Sequence, residues 1–186
     1  MTDRHLSLRE AENELEPLYS EDELSEYLEE LAPYVGWIII YFNSLEDGVS
    51  HCIRETILHD PYQDERMDVF LSEMMFSGKC RSLMHLYGQL IQTGQVKFKQ
   101  QDLVALENKL LECSRRRNEY AHADWVGIKE GRYVRVKSQS KREGIVHRYR
   151  KFELSRIQND VDFICQARDE LDEFHERIND QLWGRE

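Results

Sequence analysis

Through the middle of the chain, apolar residues recur at alternating steps of three and four, the spacing that lines one face of an α-helix. Ile38, Tyr41, Leu45, Val49, Cys52 and Thr56 follow this step. They predict a long helix with one core-facing stripe, ending near His59-Asp60-Pro61. Ahead of it, Ser20 and Glu23 make a capping-box pattern before Leu24, Tyr27, Leu28 and Leu31, which predicts a short first helix from about Glu21 to Leu31, with Pro33 restarting the chain. A third helix carries Met67, Phe70, Leu71, Met74, Met75, Leu83, Leu86 and Leu90 and stops at Thr93-Gly94. A fourth carries Leu103, Leu106, Leu110 and Cys113.

After Gly127 the period changes from helical to strand-like. Tyr133, Val134 and Val136 lie in a β-rich stretch, Ser138 to Gly144 is polar and turn-like, and Ile145 to Phe152 is again β-branched and partly aromatic. A β-hairpin with a basic tip is expected at about residues 131–153. A final helix begins near Ser155 and spaces Ile157, Val161, Ile164, Leu171, Phe174, Ile178 and Leu182 by threes and fours. The pattern is weak over residues 1–19, which reads as a loosely ordered arm. The expected architecture is an all-α bundle of four to five helices within a single domain of residues 20–186, with the small hairpin inserted before the C-terminal helix.

Composition narrows the class. A chain of 186 residues, 40% hydrophobic and with three prolines, suits one globular, mostly helical domain. Cys52, Cys80, Cys113 and Cys165 are scattered, with no short Cys/His spacing. They read as small buried apolar residues of a reducing compartment, with no metal and no other cofactor expected. The longest apolar run, Val35 to Phe42, is too short to span a bilayer, and the first sixteen residues are polar and acidic rather than signal-like. A cytoplasmic protein without membrane association is the expectation. Met67, Met74, Met75 and Met84 read as core filler, and His51, His59, His85, His147 and His175 as surface or hydrogen-bonded residues.

The net charge of −11 argues against a polyanion partner until it is mapped along the chain. Residues 109–156 hold fourteen Lys and Arg against six Asp and Glu, and the remainder holds eleven against thirty. One basic zone on an acidic body can steer RNA to itself; the same residues can equally decorate a solvated hairpin and balance acidic neighbours. The zone contains Arg115-Arg116-Arg117-Asn118-Glu119-Tyr120-Ala121-His122, which closes the fourth helix. On a straight helix Arg115, Asn118 and His122 share one face, while Arg117 lies about 140° around from His122 and shares a stripe with Leu110, Cys113 and Ala121. Arg117 reaches His122 only if its side chain wraps around, if the last turn is distorted, or if two chains contribute.

Arg117-Asn118-x-x-Ala121-His122 followed by Trp125 resembles the signature of HEPN domains, in which an Arg and, a few residues on, a His sit late in a helical bundle. The resemblance implies a HEPN-like bundle, a homodimer with both motifs facing a shared cleft, and a metal-independent endoribonuclease of toxin or defence type that acts through the 2′-hydroxyl of its own RNA substrate. His122 would take or give a proton, as an imidazole does near neutrality. Arg117 would hold the charge that develops on phosphorus, and Asn118 would hold a phosphate oxygen or fix the imidazole. Arg115, Arg116, Tyr120, Arg132, Arg135, Lys137, Lys141 and Arg142 are the candidates for binding RNA. An antitoxin or other regulatory partner is a further expectation. Some family members carry a Tyr two residues past the His as a modification target; Asp124 stands there instead, so silencing at that position is not expected. The alternatives are a non-catalytic RNA-binding module and a dimeric or partner-docking scaffold. In these His122 merely serves the helix-end carbonyls and the arginines complement the helix dipole.

Overall fold

The stripe that starts at Ile38 lies on one helix of 37 residues, α2 (Glu21–Ile57), in a computed structural model that describes residues 3–14, 21–58, 60–128, 133–142 and 144–184. Ile38, Leu45, Val49 and Cys52 are buried as the spacing requires, joined by Phe42 and Ile53. Pro33 does not restart the chain; it sits inside α2. The ring removes one intrahelical donor at a cost on the order of 3 kcal/mol. Pro33 and Glu29, whose carbonyl loses that donor, are both exposed, so water can serve the carbonyl. Buried Leu31 and Ile38 anchor the helix on either side of the proline. Ser20, the expected cap, lies outside the described residues.

The other elements in chain order are β1 (Asp3–Ser7) and α1 (Leu8–Glu14) ahead of α2, then α3 (Arg66–Glu73), α4 (Phe76–Gln92), α5 (Gln100–Ala121), β2 (Asp124–Ile128), β3 (Tyr133–Lys141), β4 (Gly144–Lys151) and α6 (Leu154–Trp183). The protein is mostly helical, with six helices among the described residues rather than four or five. The hairpin is present as β3 and β4, but it forms the middle of a four-stranded antiparallel sheet ordered β1-β4-β3-β2. Residues 3–14, whose pattern predicts no element, supply one edge strand and a short helix. Contacts divide the chain into two compact units, residues 1–39 with 116–161 and residues 40–115 with 162–186.

The second unit is a helical bundle. The expected third helix is broken into α3 and α4 at Met74 and Met75, both extended, with ψ of 134° and 149°. The break lets Leu71 and Phe76, five residues apart and so off the three-four step, both be buried, a gain of about 1.5–3 kcal/mol per side chain. Met84 is core as expected, whereas Met75 is 81% exposed. Helix α4 ends where Thr93-Gly94 predicts. Gly94, at φ +74°, closes a Schellman motif in which the Gln95 N–H donates to the Leu90 carbonyl and the Gly94 N–H to that of Ile91. Leu103, Leu106, Leu110 and Cys113 of α5 and Ile164, Leu171, Phe174 and Ile178 of α6 complete this core. Burial pushes the Cys52 and Cys80 thiols up to about 12, which keeps them neutral.

One polar chain crosses this apolar interior. Tyr87 Oη lies 2.7 Å from His175 Nδ1, and His175 Nε2 lies 2.9 Å from Glu55 Oε2. Burial opposes the Glu55 charge, but hydrogen bonding from His175 and the neighbouring imidazoles hold its carboxyl below the usual value. Glu55 is therefore an acceptor, Nε2 carries the proton, and Nδ1 accepts from the Tyr87 hydroxyl. Burial also lowers the His175 pKa from its ordinary 6.5. As the pH falls below about 6.5 the unfolded chain takes up a proton that the fold resists, so stability declines across that window. Protonation of Glu55 extends the loss below about 4.5. The thermal midpoint is expected to drop between pH 7 and pH 5. Tyr87→Phe, which leaves Nδ1 buried without its donor, is expected to cost about 1–3 kcal/mol at neutral pH. Melting curves followed by circular dichroism at several pH values check both.

The first unit gathers the sheet, α1, the N-terminal half of α2 and the helix segments at 116–121 and 154–161. Strand β1 runs antiparallel to β4, with Asp3 opposite Arg150 and Leu6 opposite His147, and Leu6, Ala11 and Tyr149 pack as one buried cluster. The β3–β4 hairpin pairs Lys141 with Gly144, whose φ of +124° a side chain would oppose. Val134 and Val136 face the core, together with Tyr120, Phe152 and Ile157.

Candidate functional site

Helix α5 delivers the motif at its C-terminal end, and burial along it decides what each residue can do. The buried positions Leu103, Leu106, Leu110, Cys113 and Tyr120 step by threes and fours with Arg117 in sequence between the last two. Arg117 therefore continues the core stripe, while Ala121, expected beside it, is exposed. A guanidinium on such a stripe reaches for the surface along its own stem. Arg117 does so by donating from Nη1 to Asn118 Oδ1 at 2.9 Å.

Asn118, Arg115 and His122 are exposed. The His122 N–H donates to the Asn118 carbonyl at 3.2 Å, so the helical course continues through His122. Asn118 and His122 then lie about 40° apart around the axis, one above the other. Arg115 makes a two-pronged contact with Glu112, with Nε and Nη2 each 2.6 Å from a carboxylate oxygen.

Arg116 and Tyr120 turn the other way. Arg116 Nη1 lies 2.8 Å from Asp160 Oδ1, and the Tyr120 hydroxyl donates to Asp160 Oδ2 at 2.6 Å. Tyr120 is 1% exposed, and burial and the Asp160 carboxylate push its phenol far above the ordinary range. Its ring lies 4.9 Å from that of Phe152. Tyr120 thus joins α5 to α6 and presents no face to a base.

The hairpin residues also separate into two groups. Arg135 forms an ion pair with Asp124, so the carboxylate two residues past His122 has a cation of its own. Lys137, Lys141 and Arg142 are exposed and, among the described residues, pair with no carboxylate. Arg132 lies outside the described residues.

Beneath the motif is an ionic cluster that the sequence pattern does not announce. Arg150, with a side chain only 4% exposed, grips Asp3 through Nε and Nη2 at 2.7 and 2.9 Å and reaches Glu119 with Nη1. Arg148 and Arg156 stand 3.7 Å from the same Glu119 carboxylate. Glu119 lies between Asn118 and Tyr120 in the chain, so the cluster fixes the helix end that carries the motif. Its only sequence signal is a lone carboxylate inside a basic run, and its partners are 29 to 147 residues away.

Among the described residues, no group of three His, Cys, Asp or Glu side chains is placed to hold a metal ion, and no helix is long and apolar enough to cross a membrane. Comparison with protein-family models, with curated proteins and with solved structures finds no match.

Proposed function

We propose that the end of α5 is the site of a HEPN-like, metal-independent endoribonuclease of toxin or defence type, which cleaves RNA by attack of a 2′-hydroxyl on the adjacent phosphate. The observation that carries this reading is the Arg117–Asn118 contact. It brings a guanidinium end to the residue that shares an exposed face with His122, and so gathers a fixed cation, an amide and an imidazole on one helix end. In this reading His122 moves the proton, Arg117 stabilises the charge that develops on phosphorus, and Asn118 positions the two. Lys137, Lys141 and Arg142 bind the flanking phosphates, with the salt dependence that such contacts carry. Two copies meet as a homodimer with the motif ends sharing one groove, and an antitoxin or regulatory partner would act by covering it.

An oligoribonucleotide tests the nucleophile directly. A single 2′-deoxy substitution on the 5′ side of the scissile linkage is expected to abolish cleavage there and leave binding nearly unchanged. Cleavage of the deoxy linkage would remove the 2′-hydroxyl mechanism.

A second reading, a non-catalytic RNA-binding module or dimeric scaffold, is favoured by one observation. Arg115, Arg116, Arg135 and Arg150 each engage a carboxylate, so much of the basic zone is neutralised within the chain. That reading predicts salt-sensitive RNA binding that disappears when Lys137, Lys141 and Arg142 are changed to Glu, with the RNA left intact throughout.

A further inference from the structure

His122 is tied to one end of a basic surface that runs along the β3–β4 hairpin. Two residues carry the chain from His122 to Asp124, a reach of at most roughly 7 Å, and Asp124 stands opposite Arg135 on β3. Strand β2 begins there, whereas β3 runs on to Lys141, which pairs with Gly144 of β4. The outer half of the hairpin therefore projects past the start of β2, on the side from which the chain enters that strand.

Alternation and pairing put the cations on one face. Arg148 and Arg150, two apart on β4, both approach Glu119, so this face of the sheet meets the end of α5. Lys137 is the cross-strand partner of Arg148, and directly paired residues share a face. Lys141 returns to the same face four residues on, about 14 Å further along the strand, and Arg142 follows in the turn. Lys137, Lys141 and Arg142 have no carboxylate of their own among the described residues. Half-buried Arg148 stands 3.7 Å from Glu119, beyond hydrogen-bond length. Glu143 lies outside the described residues. Around the α5 axis, His122 lies about 60° and Asn118 about 100° to the same side of Glu119, so the exposed face of the motif borders this surface.

We propose that this face is an anchoring track for RNA. The strand that lies at the motif continues along β3 towards the hairpin turn, its phosphates held first by Arg148 and Lys137 and last by Lys141 and Arg142. The inference rests on the ribonuclease reading for where the strand is cut, and it adds the path that the rest of the strand takes. A phosphodiester chain repeats its charge at every nucleotide, which suits cations spread along a strand. Beyond Arg148 the face carries only Gln139, Gly144 and Val146 besides its lysines, so it offers a protein partner little apolar area to bury.

The test measures anisotropy of a labelled 2′-O-methyl oligonucleotide of about twelve residues, which cannot be cut, with the full chain. Lys141→Gln with Arg142→Gln, at exposed positions of the hairpin, should weaken binding about tenfold or more and make the salt dependence of log affinity shallower by about 1.4, the share of two phosphate contacts to a single strand. Lys97→Gln with Lys99→Gln, the same change of charge at exposed positions between α4 and α5, should change little. Equal loss in both pairs, which means attraction to cations in general, or no loss in the hairpin pair would overturn the track. Stronger competition by polyglutamate than by unlabelled oligonucleotide would assign the face to an acidic protein and overturn it as well. With RNA that can be cut, the hairpin pair should raise KM and leave kcat nearly unchanged; a KM that stays put while the uncut probe binds less well would place the hairpin site off the path of the cut strand. Hairpin-dependent binding with no cleavage of any RNA would sink the ribonuclease reading and leave the binding face standing.

Discussion

Arg150→Ala is expected to destabilise the protein by about 3–5 kcal/mol, the range for removing one partner of a buried ionic pair. The arginine side chain is 4% exposed and serves two carboxylates, Asp3 and Glu119, of which Glu119 is 10% exposed. Truncation takes from Glu119 its closest guanidinium, with Arg148 and Arg156 standing at 3.7 Å, and it removes the side-chain contact between β1 and β4 at Asp3. For a chain of this length the loss amounts to a fall of roughly 10 °C in thermal midpoint. A second signature lies on the acid side. Hydrogen bonding from Arg150 holds the Asp3 carboxyl below its ordinary 3.8, so Asp3 contributes stability that is present above that value and lost as the pH falls below it. In the variant this acid-side loss should shrink. Urea unfolding near neutral pH and at pH 3 measures both, and a neutral-pH loss under about 1 kcal/mol would mean that the cluster does not anchor the sheet.

The bundle stripes were legible because burial alone sets them. Leu103, Leu106, Leu110 and Cys113 are all core, and so are Ile157, Ile164, Leu171, Phe174 and Ile178 of α6, while Val161 and Leu182 are half-buried. What escaped the pattern depends on partners remote in sequence or on competing costs. The continuity of α2 through Pro33 depends on solvent reaching one carbonyl. The break at Met74 depends on Leu71 and Phe76 both finding the core, an outcome that a continuous three-four reading cannot express. Strand β1 depends on β4, more than 130 residues later in the chain. Within the site, the reading of Arg115, Asn118 and His122 as one face followed from spacing and matches their common exposure. The burial of Tyr120 and the turn of Arg116 towards Asp160 escape the pattern because nothing near them in sequence reveals that carboxylate, 40 and 44 residues on.

His122→Ala is expected to reduce RNA cleavage by about 10²–10⁴-fold, the usual contribution of a general acid or base. Because His122 is exposed beyond the last residue of α5, the folded state should change by no more than about 0.5 kcal/mol. That split between rate and stability separates the two roles open to this residue. Service to the helix-end carbonyls and dipole would cost about 0.3–1 kcal/mol of stability and leave any cleavage rate unchanged. Arg117 gives a parallel contrast. Arg117→Lys keeps a positive charge but loses the planar fork that reaches Asn118, so a transition-state role predicts a loss of roughly 10²-fold or more.

Incubation of one labelled RNA with wild-type protein and with His122→Ala, in the presence of a chelator and with product ends analysed, tests the central claim most directly. The account predicts fragments ending in 2′,3′-cyclic phosphate and 5′-hydroxyl from the wild type and intact RNA from the variant. RNA left intact by the wild type, or cut equally by both proteins, would contradict it.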